Sequence, residues 1–158
     1  MQPIATATSA VREAPNGGEF LAAVAERTGL RPRIISGDEE ARLVHLAAVY
    51  GVNASTGTTV VVDIGGGSME ITFGTASEIH LARSFPLGVI RLTDRFVTSD
   101  PLSARDERRL IKHVRSVAGA FAEQVRAAGF DRLIATSGSS LSLGEIALRG
   151  RRLFESDQ

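Results

Sequence analysis

The sequence predicts an α/β domain built on a mixed sheet, and three observations lead to that class. Val60, Val61, Val62 and Ile64 form a nearly continuous apolar run, as in a strand covered on both faces. Met69, Ile71 and Phe73 then alternate with Glu70 and Thr72, the period of a strand with one wet face. Helical stripes separate these from the other strand-like segments, so the two kinds of element alternate along the chain.

Taken in order, residues 4–9 (IATATS) are β-prone. Asn16 and Glu19 have the spacing of an N-cap and its return carboxylate, and Phe20, Leu21, Val24 and Ala25 supply the stripe of the helix they open. Gly29 ends it. Residues 33–35 read as a short strand. Ser36 to Glu39 form an S-x-x-E capping box, with Glu39 reaching back to Ser36, for a helix running to about Tyr50. Residues 51–58 are a polar, glycine-containing connector, the expected domain seam. The hairpin 60–73 follows, then a third strand over 79–85. Pro86 and Gly88 mark the entry to a short helix ending near Phe96. Ser103 opens the longest helix, whose stripe is Leu110, Val114, Val117, Ala118, Phe121 and Val125, and Gly129 closes it. Residues 132–136 are another strand, 137–140 a loop, and about 141–148 a last helix. The units are therefore 1–50, 51–150 and an exposed tail over 151–158.

Composition narrows the function classes. Hydrophobic residues make up 43% of the 158, enough for a core and too many for disorder. Basic and acidic residues balance at 18 each, so no global field draws the chain to nucleic acid or acidic lipid. Tryptophan is absent and aromatics are sparse, which argues against base-stacking platforms. There is no cysteine, which excludes disulfides and thiolate chemistry and suits the cytosol. No apolar run approaches the ~20 residues of a membrane span, and no basic-then-apolar signal opens the chain. A soluble, cytoplasmic protein without nucleic-acid or membrane partners is expected.

The chemistry concentrates in DIGGGSME, residues 63–70. Three consecutive glycines, Gly65, Gly66 and Gly67, permit positive φ and close backbone approach. Successive amides there, with Ser68, can form an anion-binding concavity. Asp63 enters the turn and Glu70 leaves it, and carboxylates beside such a hollow usually hold Mg²⁺ or a water. A plain tight turn is the bland alternative, but apolar strands on both sides favour a site. The dinucleotide fingerprint does not fit, because a strand and not a helix follows, and no Lys-Ser or Lys-Thr completes a P-loop.

Glu40 is the next candidate. Glu39 already has a capping role, whereas Glu40 borders the apolar face of Leu43, Val44 and Ala47, where partial burial suits a general base. The alternative is that Asp38, Glu39 and Glu40 only complement the helix dipole. Arg12 could fork onto a phosphate or pair at the surface with Glu13. Ser137 and Gly138, at a helix start, suit an anion or ribose edge as well as ordinary capping. His45, His80 and His113 lack metal-ligand spacing, and Arg108, Arg109, Lys112 and Arg115 form a basic face of the long helix, most simply a solvated one.

Five stretches together resemble the exopolyphosphatase / guanosine pentaphosphatase (Ppx/GppA) family: ATSAVREA (7–14), ISGDEEARL (35–43), VVDIGGGSMEI (61–71), SFPLGVIRLTDRF (84–96) and ATSGSSLSL (135–143). The resemblance implies a ribonuclease H-like architecture of the actin/Hsp70/sugar-kinase superfamily, with the site in the cleft between two such domains. Residues 1–50 would be the last part of a truncated first domain plus a linking helix, and 51–150 the second domain. It implies Mg²⁺-assisted hydrolysis of the terminal phosphoanhydride of polyphosphate or of the 5′-phosphate of guanosine pentaphosphate (pppGpp). By position, Glu40 resembles the water-activating glutamate and Glu70 the glutamate that positions water or metal. Asp63 matches the acid of the loop, Gly65 to Ser68 its phosphate cradle, and Arg12 an arginine facing the phosphate.

The chain departs from the family pattern in lacking a first DIG-S-N-S loop, and Met69 and Ser140 replace threonines. The expectation is therefore a hydrolase that is weak or inactive without that loop. The alternative is a non-catalytic phosphate- or nucleotide-binding module. An unpaired sheet edge and bare apolar helix faces would favour a homodimer.

Overall fold

A computed structural model describes residues 3–155 of the protein. The chain opens with β1 (Thr6–Ala7), α1 (Ser9–Glu13) and α2 (Gly17–Thr28), and β2 (Arg33–Ile34) pairs with β1 in parallel. Then follow α3 (Gly37–Gly51), β3 (Thr59–Ile64), β4 (Met69–Gly74), β5 (Ile79–Phe85), α4 (Val89–Phe96), α5 (Ala104–Ala128), β6 (Arg132–Thr136) and α6 (Ser137–Glu155). The second sheet has the order β5-β4-β3-β6, with β3, β4 and β5 antiparallel and β6 parallel to β3. The mixed α/β sheet expected from the sequence is present.

Its two faces are covered differently. On one, Val60, Ile71, Phe73 and Phe85 pack against Ala118, Phe121 and Val125 of α5, and Met69 joins this core. Phe85 and Phe121 meet edge to face, 5.6 Å between centroids. On the other, α3 lies across β3, β4 and β5 and buries Ala41, His45, Ala48 and Val49. His45 Nδ1 is 2.8 Å from Thr72 Oγ1 and its Nε2 is 3.1 Å from the Thr75 carbonyl. A carbonyl only accepts, so Nε2 carries the proton. His45 is thus a satisfied core histidine that fastens α3 to β4.

Local capping differs from expectation in three places. Ser36 Oγ does accept from the Glu39 amide at 3.1 Å, but the Glu39 carboxylate turns away to Arg33. A full guanidinium partner outcompetes one backbone amide. Asn16 holds the N-cap position of α2 without a side-chain cap bond. Residues 137–140 form no loop, since α6 begins at Ser137 and runs on to Glu155. Residues 156–158 of the expected tail lie outside the described residues. No helix among the described residues is long and apolar enough to cross a membrane.

Candidate active site

The loop between β3 and β4 is a four-residue turn closed by the Gly65 amide donating to the Ser68 carbonyl at 3.0 Å. Contrary to expectation, none of Gly65, Gly66 and Gly67 has positive φ. Glycine is needed there for proximity. A Cβ on Gly67 would lie 2.5 Å from Ser9 Oγ, and one on Gly66 3.1 Å from Ile90 Cδ1. The turn is therefore wedged between α1 and α4.

Its carbonyls face α4. Gly65, Gly66 and Gly67 accept from the amides of Val89 (2.9 Å), Ile90 (3.0 Å) and Gly88 (3.3 Å), and Arg91 Nε adds a bond to the Gly67 carbonyl at 3.0 Å. The first amides of α4, which a helix leaves without internal partners, are satisfied this way. With the carbonyls so engaged, the amides of Gly66, Gly67 and Ser68 have no protein acceptor among the described residues.

The acidic pair follows from strand register. Asp63 of β3 stands opposite Glu70 of β4, and Glu70 opposite Ser84 of β5. The Glu70 side chain is only 2% exposed, and Ser84 Oγ donates to its Oε1 at 2.6 Å. Burial pushes the Glu70 carboxyl above the ordinary range. Hydrogen bonds from Ser84 and Ser68 oppose that, and the charges of Glu40 and Asp63 add to it. Asp63 Oδ1 is buried and lacks a hydrogen-bond partner among the described residues, as does Oγ1 of Thr136, its register neighbour on β6.

Arg12 at the end of α1 donates from Nη1 to the Ile35 carbonyl at 2.9 Å and to Glu40 Oε2 at 3.1 Å. The surface pairing with Glu13 does not occur, because Glu13 is taken by Arg91 and by Ser9 Oγ. Arg12, Ser36, Gly37, Ser68 and Ser84 border a cleft of about 330 Å³. Gly37 lets α3 start against β5, since a Cβ would lie 2.6 Å from that of Ser84. Glu40 stands behind Arg12, and Glu70 behind Ser84. Ser137 and Gly138 do not line this cleft. Ser137 sits at φ +71° and its hydroxyl donates to the Ile64 carbonyl at 2.6 Å, which pins the end of β3.

Sequence reasoning overlooks Ser84 and Arg91, and assigns Gly88 only to the entry of α4. Counting back from the β4–β5 turn would place Arg83 opposite Glu70. A register shift between Phe73 and Gly74 moves Ser84 there instead, as one extra residue exchanges the faces of a strand.

Three antiparallel strands, a fourth parallel to the first of them, and helices on both faces define an α/β protein with a mixed sheet. Within that class, the Ppx/GppA phosphatase family model matches residues 3–148, and the chain belongs to that family. Exopolyphosphatase 1 of Mycobacterium leprae is 42% identical over 102 residues, covering 65% of this chain and 30% of the relative. The exopolyphosphatase crystal structure from Cytophaga hutchinsonii superimposes with a TM-score of 0.86 at 30% identity, over 94% of this chain and 48% of that one. The Aquifex aeolicus Ppx/GppA family member gives 0.65 at 30% identity, over 85% and 42%. The chain spans less than half the length of each of these relatives.

Proposed function

We propose that this chain contributes to hydrolysis of the terminal phosphoanhydride of inorganic polyphosphate, with the 5′-phosphate of pppGpp as the second substrate of the same chemistry. The observation behind this reading is a buried carboxyl, Glu70, opposite Asp63 and within the field of Glu40, beside a turn in which the amides of Gly66, Gly67 and Ser68 lack protein acceptors among the described residues. In the reaction a water oxygen bonds to the terminal phosphorus, the bridging P–O bond breaks, and the water gives up a proton. Glu40 and Glu70 are the groups to orient that water and take the proton, and a raised carboxyl suits a base working near neutrality. Arg12, Ser68 and the amides of Gly66 and Gly67 would bind the phosphate oxygens.

Mg²⁺ fits the donors present. The unpartnered Asp63 Oδ1 and the adjoining Glu70 are hard oxygen ligands, and Mg²⁺ commonly takes one or two carboxylates plus substrate phosphates and water. Among the described residues no group of three or more acidic or histidine side chains is placed to hold a metal ion. When bound, the ion would neutralise charge on the phosphate oxygens. A cysteine-free chain is also suited to the cytosol.

Phosphate release from polyphosphate with Mg²⁺ present is the test. Glu40→Gln should slow it by roughly 10²–10⁴-fold, as expected for loss of a general base. Equal rates for the two proteins would remove Glu40 from this role.

One observation favours a second reading, a non-catalytic phosphate- or nucleotide-binding module that dimerises. Glu40 Oε2 is already paired with the Arg12 guanidinium at 3.1 Å, which lowers the basicity a water-activating carboxylate needs. Under this reading calorimetry detects polyphosphate or pppGpp binding without turnover, and light scattering reports a dimer.

A further inference from the structure

We infer that Thr136 belongs to the divalent-cation site, its hydroxyl serving with the Asp63 and Glu70 carboxylates as a third oxygen ligand. The inference rests on the phosphoanhydride reading and adds a residue to the same site. Four polar side chains form one row across the large sheet. Ser84 of β5 stands opposite Glu70 of β4, Glu70 opposite Asp63 of β3, and Asp63 beside Thr136 of β6. Residues paired in register project from the same face of a sheet. From one edge to the other, the row therefore reads hydroxyl, carboxylate, carboxylate, hydroxyl.

The two halves of the row differ. Ser84 Oγ donates to Glu70 Oε1 at 2.6 Å. Asp63 Oδ1 and Thr136 Oγ1, although neighbours, are each buried without a hydrogen-bond partner among the described residues. Buried polar atoms are normally paired. A carboxylate only accepts, so the counterpart of Asp63 Oδ1 is a donor or a cation. Charge favours the cation. Neither Asp63 nor Glu70 has an arginine, lysine or histidine within salt-bridge distance among the described residues, and adjoining carboxylates repel one another. Mg²⁺ takes oxygen donors, and a serine or threonine hydroxyl is one of its ligands in phosphate-binding loops. With no third acidic or histidine side chain placed to complete the set, Thr136 is the adjoining oxygen. Its position is also held firmly. Ser137, the next residue, has φ +71°, a conformation that a non-glycine residue keeps only where its surroundings fix it. The Ser137 hydroxyl donates to the Ile64 carbonyl at 2.6 Å, which joins the residue after Thr136 to the residue after Asp63.

The experiment titrates the wild-type chain, Thr136→Val, Thr136→Ser, Thr59→Val and Asp63→Asn with Mn²⁺ alone, following the bound ion by electron paramagnetic resonance. Thr136→Val keeps the side-chain shape but removes the hydroxyl, and should bind Mn²⁺ roughly tenfold more weakly. Thr136→Ser should bind as the wild type does, and Asp63→Asn should lose most of the binding. Thr59 Oγ1 is also buried without a partner among the described residues, at the opposite end of β3. Thr59→Val is therefore the control and should leave binding unchanged. Removing an unsatisfied buried hydroxyl carries no hydrogen-bond cost. Without the ion, Thr136→Val should thus melt no lower than the wild type, which separates a lost ligand from lost folding. Wild-type affinity in Thr136→Val overturns the inference. Equal weakening in Thr59→Val, or no Mn²⁺ binding by the wild type, overturns it too. If the expected pattern appears but the wild type releases no phosphate from polyphosphate with Mg²⁺, the hydrolytic reading fails and the cation site stands.

Discussion

Arg12 and Glu40 are 28 positions apart in the chain and meet at 3.1 Å at the rim of the cleft. The same guanidinium nitrogen binds the Ile35 carbonyl, so Arg12 fastens α1 to the entry of α3. Because α3 lies on β3, β4 and β5, this contact ties the small β1–β2 unit to the large sheet. Both partners are largely covered, at 23% and 16% side-chain exposure, so the pair is less screened than a surface ion pair.

Arg12→Ala should therefore destabilise the fold. A charge-assisted hydrogen bond contributes about 1.5–3 kcal/mol, and that is the expected loss in denaturant titration. Arg12→Lys should recover part of it. An unchanged unfolding midpoint for Arg12→Ala would show that the contact contributes nothing.

Glu70 gives a prediction with a defined sign. Its carboxyl is raised in the folded state, mainly by burial, so the fold favours the protonated form. The resulting stabilisation is complete below the ordinary glutamate range and is lost as pH rises through the folded value. Glu70→Gln imitates the protonated form. Its melting temperature should match the wild type in acid and exceed it increasingly toward neutral pH. A difference independent of pH would contradict this account.

Ser84 acts on the same carboxyl from across the strand. Its hydrogen bond is the largest effect holding Glu70 down against burial. Ser84→Ala should raise Glu70 further and move the acid limb of any pH–rate profile to higher pH. A profile superimposable on the wild type would exclude Glu70 as the group titrating there.

The glycines should differ in what they tolerate. A Cβ on Gly88 would collide with the Gly66 carbonyl and the Gly67 backbone, which cannot rotate aside. Gly88→Ala should cost at least about 1–3 kcal/mol, the usual penalty of overpacking. Gly67→Ala meets only the Ser9 side chain, whose hydroxyl can turn, and should cost less. Melting temperatures in the reverse order would contradict the wedge described for this turn.

What proved legible in the sequence was local. The hairpin follows from alternation between Met69 and Phe73, the caps at Ser36 and Ser103 from spacing, and the α5 face from its periodic apolar residues. Gly29 ends α2 in the left-handed conformation its position suggested. The same reasoning failed where two acceptable local partners competed. Glu39 could cap Ser36 or pair with Arg33, and only the approach of β2 decides that contest. The turn glycines likewise suggest backbone freedom, and only the positions of Ser9 and Ile90 reveal that the requirement is space.

By itself the sequence determined the class of fold, the order of its elements apart from α1, and the acidic residues flanking a glycine turn. Hydrophobic period and capping chemistry act over one to four residues, and no distant partner is needed to express them. Tertiary structure alone decided that Ser84 meets Glu70, that Arg12 meets Glu40, and that the turn carbonyls satisfy α4. Each of these depends on strand register or helix placement. A one-residue shift such as that between Phe73 and Gly74 exchanges every partner on a strand without altering the local pattern.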